Sequence, residues 1–217
     1  MQNKKGLFFL RAGLLLIAAA LCLVGYNLWE GYRVGQITAD TVQQLHAYIE
    51  PETAPTDAIA SPEDASLPAV TIPGYIRTPE MEMPTQNIDG WDYIGMVEIP
   101  ALALELPVIS HWSYPALKVS PCRYQGSAYT DDLILLAHNY QSHFGSIQQL
   151  QTGDVVSFTD MDGNVFAYEV VLKETLEPTA IEEMEAGEWD LTLFTCTVGG
   201  SYRVTVRCEC IEKPSEI

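Results

Sequence analysis

The chain has 217 residues, 29 acidic against 11 basic side chains, and a formal net charge of −18. That length accommodates one domain of ordinary size with extra segments but hardly two full domains. The acidic balance argues against a nucleic-acid partner, because such affinity comes largely from Lys and Arg displacing counterions. The five cysteines, Cys22, Cys122, Cys196, Cys208 and Cys210, form no CxxC pair, so neither a disulfide framework nor a zinc ribbon is indicated.

Residues 6–29 form an apolar run with a single charge, Arg11, and at about 1.5 Å rise per residue such a helix crosses a hydrocarbon core. Lys4, Lys5 and Arg11 lie on its N-terminal side. The positive-inside bias therefore keeps residues 1–5 in the cytoplasm and exports the chain beyond the helix, giving a single-pass protein of the cell membrane. The competing reading is a cleaved signal peptide with Ala18, Ala19 and Ala20 at the cleavage site. The apolar run continues through Leu21, Leu23 and Val24, which favours a retained anchor. Residues 30–90 then read as an extracytoplasmic tether, helical at first, with Val42, Leu45 and Ile49 spaced to share a face. From residue 51 on, seven prolines among Ala, Ser, Thr and acids suit an extended, solvated spacer. A sharper alternative is that residues 72–83 fold back over the active site as a lid.

Residues 91–217 have the texture of a β protein, expected as a barrel or sandwich. Residues 93–99 alternate apolar and polar up to Pro100, a residue that cannot donate to a ladder. Residues 104–109 form a second strand, with Pro107 marking an edge or a bulge. Residues 133–137 are continuously apolar, as in a strand covered on both faces, and His138 stands at their end. After a helical turn at 144–150 come strands at 155–158 and 165–172, joined by the Asp162–Gly163 turn. The Asp160–Asn164 run faintly resembles the start of a calcium loop, but such a loop requires flanking helices and a distant bidentate acid, and the flanks here are strands. An acidic loop with a short helix at 180–186 precedes two final strands, 189–196 and 202–210.

Those last strands form a hairpin around Gly199 and Gly200, with Cys196 at the end of one strand and Arg203 near the start of the other. A guanidinium beside a thiol favours thiolate, the nucleophilic form. A thiol nucleophile also needs a proton carrier, for which histidine is suited. Of the four histidines, His46 lies in the tether and His111 follows the second strand, both read as solvated. His138 ends an apolar strand where a rigid sheet presents a side chain into a cleft, and His143 is the reserve candidate. On residue type alone, His138 as a capped strand-end histidine stays open. Arg207 shares the face of Arg203 but lies about 13 Å along the strand, and is read as an exposed residue paired with an acid. Cys208 and Cys210 follow the inward period of Val204 and Val206. Two same-face residues of one strand do not bridge each other, and Cys122 is left as a conceivable partner for one of them.

Thr192-Leu193-Phe194-Thr195-Cys196, followed by Arg203-Val204-Thr205-Val206, resembles the sortase signature, a Thr-Leu-x-Thr-Cys strand before a strand opening with Arg. Leu135-Leu136-Ala137-His138-Asn139 resembles the family's second motif, an apolar strand ending in His-Asn. With the strand ending Ile99-Pro100, the Leu106-Pro107-Val108-Ile109 strand and the anchor, the likeness covers residues 91–212. The resemblance implies an all-β fold, an eight-stranded β-barrel with short helices, and a cysteine transpeptidase at the outer face of a Gram-positive membrane. It implies that Cys196 attacks an LPxTG-like sorting signal of a surface protein to form a thioacyl-enzyme, resolved by an amine of cell-wall precursor or pilin. It further implies that His138 carries protons, that Arg203 holds the signal or the oxyanion, and that Thr195 binds substrate. No cofactor is expected, although the acidic loop leaves calcium dependence open without a ligand set that can be named. The tether lacks the Asp-Pro-aromatic triplet of pilin-polymerising lids, which argues against that subclass. The competing classes are a cysteine hydrolase and a non-catalytic, membrane-tethered β-domain that binds a surface partner.

Overall fold

The backbone comes unusually close to its neighbour at Gly95, beside an irregularity in strand register and at a positive φ of 154°. A Cβ on Gly95 would lie 2.1 Å from the Thr159 carbonyl oxygen, where the first long strand meets the strand that completes the ring. The computed structural model describes residues 4–49 and 73–211. Its strands are β1 (Gln86–Ile88), β2 (Trp91–Ile99), β3 (Leu104–Ile109), β4 (Cys122–Gln125), β5 (Leu133–Leu136), β6 (Val155–Asp160), β7 (Val165–Leu176), β8 (Leu191–Cys196) and β9 (Arg203–Cys210). They pair in the order β1-β2-β3-β4-β5-β8-β9-β7-β6, and β6 returns to β2. Strands β2 to β9 thus form the closed eight-stranded barrel expected from the sequence, with β1 a short hairpin arm on the start of β2. The pairs β3–β4 and β5–β8 are parallel and the others antiparallel.

Inward-facing side chains fill the barrel. Val97, Val108, Leu135, Phe158, Tyr168, Leu193 and Val206 belong to one buried cluster, each large apolar member contributing about 1.5–3 kcal/mol on removal from water. Cys208 is in that cluster and Cys210 packs against it. Cys122 belongs to a separate cluster with Tyr93, Ile109 and Leu117, and none of the five cysteines is in a disulfide. Burial pushes the thiols of Cys122 and Cys208 up to about 12, which makes them inert packing residues. Pro107 pairs with Met96 of β2. On its other side β4 joins β3 only at Ile109, so the missing N–H falls where no strand needs it.

The barrel has two distinct ends. Strand β9 runs from Arg203, opposite Cys196, to Cys210, opposite Tyr168. At the Cys210 end, Tyr75 stacks on Tyr129 at 4.7 Å between ring centroids and meets Phe166 at a tilt at 5.2 Å. Nearby, Asp160 accepts the Tyr129 hydroxyl and organises the β6–β7 turn through the amides of Asp162 and Asn164. Its carboxylate is therefore occupied by the hairpin itself, and Gly163 takes the positive φ of 81° that this turn requires.

The described parts of residues 30–90 differ from the solvated tether expected of them. Helix α1 (Lys4–Ile49) is unbroken. Its Phe8–Tyr26 window is long and apolar enough to cross a membrane, by length and composition. Beyond it, Thr38, Thr41 and Leu45 are buried on the barrel, and Leu45 packs with Ile88, Tyr93 and Ile109. Val42, Leu45 and Ile49 do share a face, as their spacing suggests. Helix α2 (Gly74–Arg77), Met83 and β1 also belong to the barrel. The physical reason is that Tyr75, Met83 and Ile88 find seats against the sheet, although Ile76 and Met81 between them stay exposed. That seating places Tyr75 at the end of the barrel away from Cys196, so residues 73–77 do not form a lid over the site. Residues 50–72, which hold most of the prolines, lie outside the described residues.

Candidate active site

Register alone brings the three principal candidates together. On β8, Cys196 pairs with Arg203 of β9. The neighbouring Thr197 amide donates to the Tyr202 carbonyl at 3.0 Å, which makes Cys196–Arg203 the non-hydrogen-bonded kind of pair, with side chains closest together. On the other side of β8, the parallel β5 pairs Leu136 with Phe194. The ladder continues past the strand's end, since the Ala137 amide donates to the Phe194 carbonyl at 3.2 Å. Two residues beyond Leu136 and Phe194 are His138 and Cys196. The order across the sheet is therefore His138, Cys196, Arg203, at one level and, by the period of two, on one face.

That face is the outer one. Leu133, Leu135 and Leu193 point into the barrel core, whereas Ile134, Leu136 and Phe194 form an outer apolar cluster with Tyr124 and Met184. Leu136 and Phe194 precede His138 and Cys196 by two residues, so an apolar strip leads up to the site. His138, Cys196 and Arg203 are each half-buried.

His138 sits against the Tyr140 ring at 4.9 Å between centroids, and Tyr140 in turn against His143 at 5.5 Å. Burial, and next the charge of Lys118, hold the His138 imidazole below its ordinary range, so it is neutral at pH 7 and ready to accept a proton. His143 is fully buried, and among the described residues neither ring nitrogen has a hydrogen-bond partner of good geometry. Burial first, then the proximity of His138, drive it down to about 4, against a smaller opposing pull from the Val119 backbone. Where the sequence offers His143 as a reserve proton carrier, the structure makes it a neutral packing ring behind His138.

Arg203 donates from Nη1 to the carbonyls of Gly200 at 3.1 Å and Tyr202 at 3.2 Å. These bonds fold the guanidinium over its own turn and leave Nε and Nη2 without a hydrogen bond among the described residues. Arg207 differs from the exposed residue expected of it. It is 1% exposed, and its guanidinium donates to Glu174 Oε1 at 2.8 Å, Thr192 Oγ1 at 3.0 Å and the carbonyls of Met184 and Glu183. The acidic β7–β8 loop, carrying helix α3 (Ile181–Met184), closes over that part of β9, and the arginine is the pin that holds it.

Thr195 also lies elsewhere than expected. Alternation turns it inward, where it is 2% exposed and its hydroxyl donates to the Ala137 carbonyl at 2.7 Å. It therefore bolts the end of β5 to the end of β8, immediately before His138 and Cys196, and does not stand on the face that a substrate would meet. Among the described residues no group of three or more His, Cys, Asp or Glu could hold a metal ion.

Sequence reasoning missed Tyr140, whose ring packs against His138, and Lys118, whose charge helps hold that imidazole down. Tyr140 lies two residues from the histidine, within reach of a local reading. Lys118 arrives through the β3–β4 connection, which carries no periodic signal.

Comparison with known proteins agrees with this geometry. The sortase-domain family model matches residues 97–211, more than half of the chain. Sortase A of Bacillus anthracis is 25% identical over 207 residues, which cover 90% of this chain and 89% of that protein. The structure of sortase C from Clostridium perfringens with the C-terminal cell wall sorting motif shares 25% identity. It covers 60% of this chain and 79% of that one, with a TM-score of 0.50. Sortase A from Corynebacterium diphtheriae shares the fold at a TM-score of 0.51 and 19% identity, covering 64% of this chain and 66% of that one. Sortases are cysteine transpeptidases, and a chain that matches their domain and closes the same barrel around a His–Cys–Arg register belongs to the sortase family.

Proposed function

We propose that this chain is a membrane-anchored cysteine transpeptidase that cleaves an LPxTG-like sorting signal and joins the protein carrying it to an amine of cell-wall precursor or pilin. Phe8–Tyr26 is its retained anchor, with the N-terminus cytoplasmic and the barrel outside. The observation that carries the reading is the placement of Cys196 between His138 and Arg203 on one face of three adjacent strands.

In the proposed reaction the Cys196 sulfur attacks the scissile carbonyl while its proton passes to the neutral His138 imidazole. Arg203 Nε and Nη2 meet the developing oxyanion with charge-assisted hydrogen bonds. The tetrahedral intermediate collapses as His138 returns the proton to the departing amine, which leaves a thioacyl-enzyme. An incoming amine then attacks that thioester, loses a proton to His138, and expels the Cys196 sulfur, which recovers the proton. Leu136, half-buried two residues before His138 on the same face, suits the hydrophobic part of an extended signal.

The test is intact-protein mass spectrometry after incubation with an LPxTG-type peptide library, with and without an amine acceptor. An adduct on Cys196, absent from Cys196→Ala and released as amide product by the amine, is the expected result. Release as free acid alone, with no response to amine, would establish a hydrolase. Retained surface-protein display by Cys196→Ala in cells would leave only the non-catalytic binding domain.

A further inference from the structure

Helix α1 meets the barrel at the catalytic end first. A Cβ on Gly35 would lie 3.9 Å from the Cβ of Ser142, in the loop that starts at His138 and places Tyr140 against its ring. The helix then descends the barrel through the buried Thr38, Thr41 and Leu45. Its last described residue, Ile49, lies 3.4 Å from where a Cβ on Gly163 would stand, in the β6–β7 turn at the opposite end. Fourteen residues of helix thus span about 21 Å, from the site to the far end of the barrel.

In the other direction the helix continues without a proline or a break to Tyr26, the last residue of the apolar window. Gly35 lies nine helical steps beyond Tyr26, a rise of about 13 Å. Between them Trp29 and Arg33 sit one over the other at 5.9 Å, an aromatic and basic pair suited to the lipid headgroup level.

We infer that α1 is a rigid strut that turns the His138–Cys196–Arg203 end of the barrel toward the bilayer, about 10–15 Å above it, so that the site serves substrates held at the membrane surface. This rests on Phe8–Tyr26 being a retained anchor. The site then lies on the outer wall of the barrel at its lipid-proximal end, and a peptide or amine tethered to the membrane meets it without crossing the barrel. A bilayer is uniform about its normal, so the quantity that α1 sets is height, not helical phase.

The test uses the full chain reconstituted in phosphatidylethanolamine–phosphatidylglycerol vesicles. A donor fluorophore is attached through a ketone-bearing residue at Val198, 95% exposed beside Cys196, or at Val165, 65% exposed in the far hairpin. The acceptors are headgroup-labelled lipids. Energy transfer from position 198 is expected to exceed that from 165 severalfold, because the two heights differ by about one strand length, roughly 17–20 Å. Equal transfer, or stronger transfer from 165, would overturn the orientation. Flotation with the vesicles is scored separately, and failure to float would remove the anchor reading and the inference with it. An alanine-rich heptad inserted after Glu30 lifts the site by about 10 Å. It is expected to lower turnover of a lipid-tethered signal peptide at least tenfold and leave turnover of the same peptide in solution unchanged. Equal turnover of the tethered peptide by both lengths of strut would also sink the proposal.

Discussion

Two arginines on one face of β9 have opposite circumstances. Arg207 is buried, and four acceptors take its guanidinium from three directions. Arg203, four residues earlier, holds only two carbonyls of its own hairpin turn and is half-exposed. The same contrast runs along the neighbouring strands. Thr192 and Thr195 of β8 spend their hydroxyls on fixed partners, whereas Cys196 and His138, at the strand ends, keep their reactive atoms on an open face. A saturated polar group stabilises the structure because removing it strands its partners, and an unsaturated one at the edge of that frame is free to bind what arrives. The frame is expected to show up in stability and the edge in rate.

Arg207→Ala is the largest test of that division. It leaves Glu174 and the carbonyls of Glu183 and Met184 without their donor, and breaking such a pair costs about 3–5 kcal/mol. Thermal unfolding is expected to fall by about 10 °C, with residual activity per folded molecule when measured well below the new midpoint. A variant as stable as the parent would break the comparison at its firmest point. Arg203→Ala is expected to do the converse. Loss of one oxyanion donor lowers kcat/KM by about 10²–10³, with a midpoint within about 1–2 °C of the parent, since an exposed hairpin contact is worth only tenths of a kcal/mol. Arg203→Lys is expected to recover little of the rate, because an ammonium does not present the guanidinium fork.

His143 sharpens the comparison, being a member of the frame held by burial and by the Tyr140 ring. Its folded pKa, about 4, lies below the ordinary value near 6.5. Between those values the unfolded chain binds the proton more readily, so the stability that His143 contributes is complete above pH 6.5 and is lost as pH falls toward 4. The difference is at most about 3 kcal/mol. His143→Leu is expected to remove that part of the slope. Denaturant titrations of parent and variant should run parallel above pH 6.5 and diverge in the variant's favour toward pH 4. Parallel curves throughout would mean that the ring is not held neutral by burial.

The site's edge was more legible in the sequence than its frame. His138 and Cys196 stand where apolar strands stop, and Arg203 follows a Gly pair, so period and punctuation locate all three. Seven of the eight barrel strands carry alternation or a continuous apolar run. The eighth, β4, is four residues, Cys122-Arg123-Tyr124-Gln125, with no period to detect. It exists because β5 and the end of β3 offer it a ladder. The burial of Arg207 depends on a loop more than twenty residues away in sequence folding over it. The seat of α1 on the barrel is likewise tertiary: Gly35, Thr38 and Thr41 carry too little apolar character to announce a docking face, and only the sheet beneath them gives them one.

The smallest effect belongs to Thr195, where frame and edge touch. Its hydroxyl donates to the carbonyl of Ala137, the residue before His138, and it precedes Cys196 itself. Thr195→Val keeps the shape and β-branching of the side chain and removes the donor. The expected loss of stability is about 1 kcal/mol, the net worth of one neutral hydrogen bond. If the bond served stability alone, kcat/KM at a temperature where the variant is fully folded would be unchanged. Because it ties together the two strand ends that present His138 and Cys196, kcat is expected to fall about tenfold with KM little altered, since misplacement of reacting groups by a fraction of an ångström is felt in the transition state. Thr195→Ser restores the donor without the methyl group and is expected to recover most of kcat while remaining less stable than the parent. Recovery of stability without recovery of kcat would place Thr195 wholly in the frame.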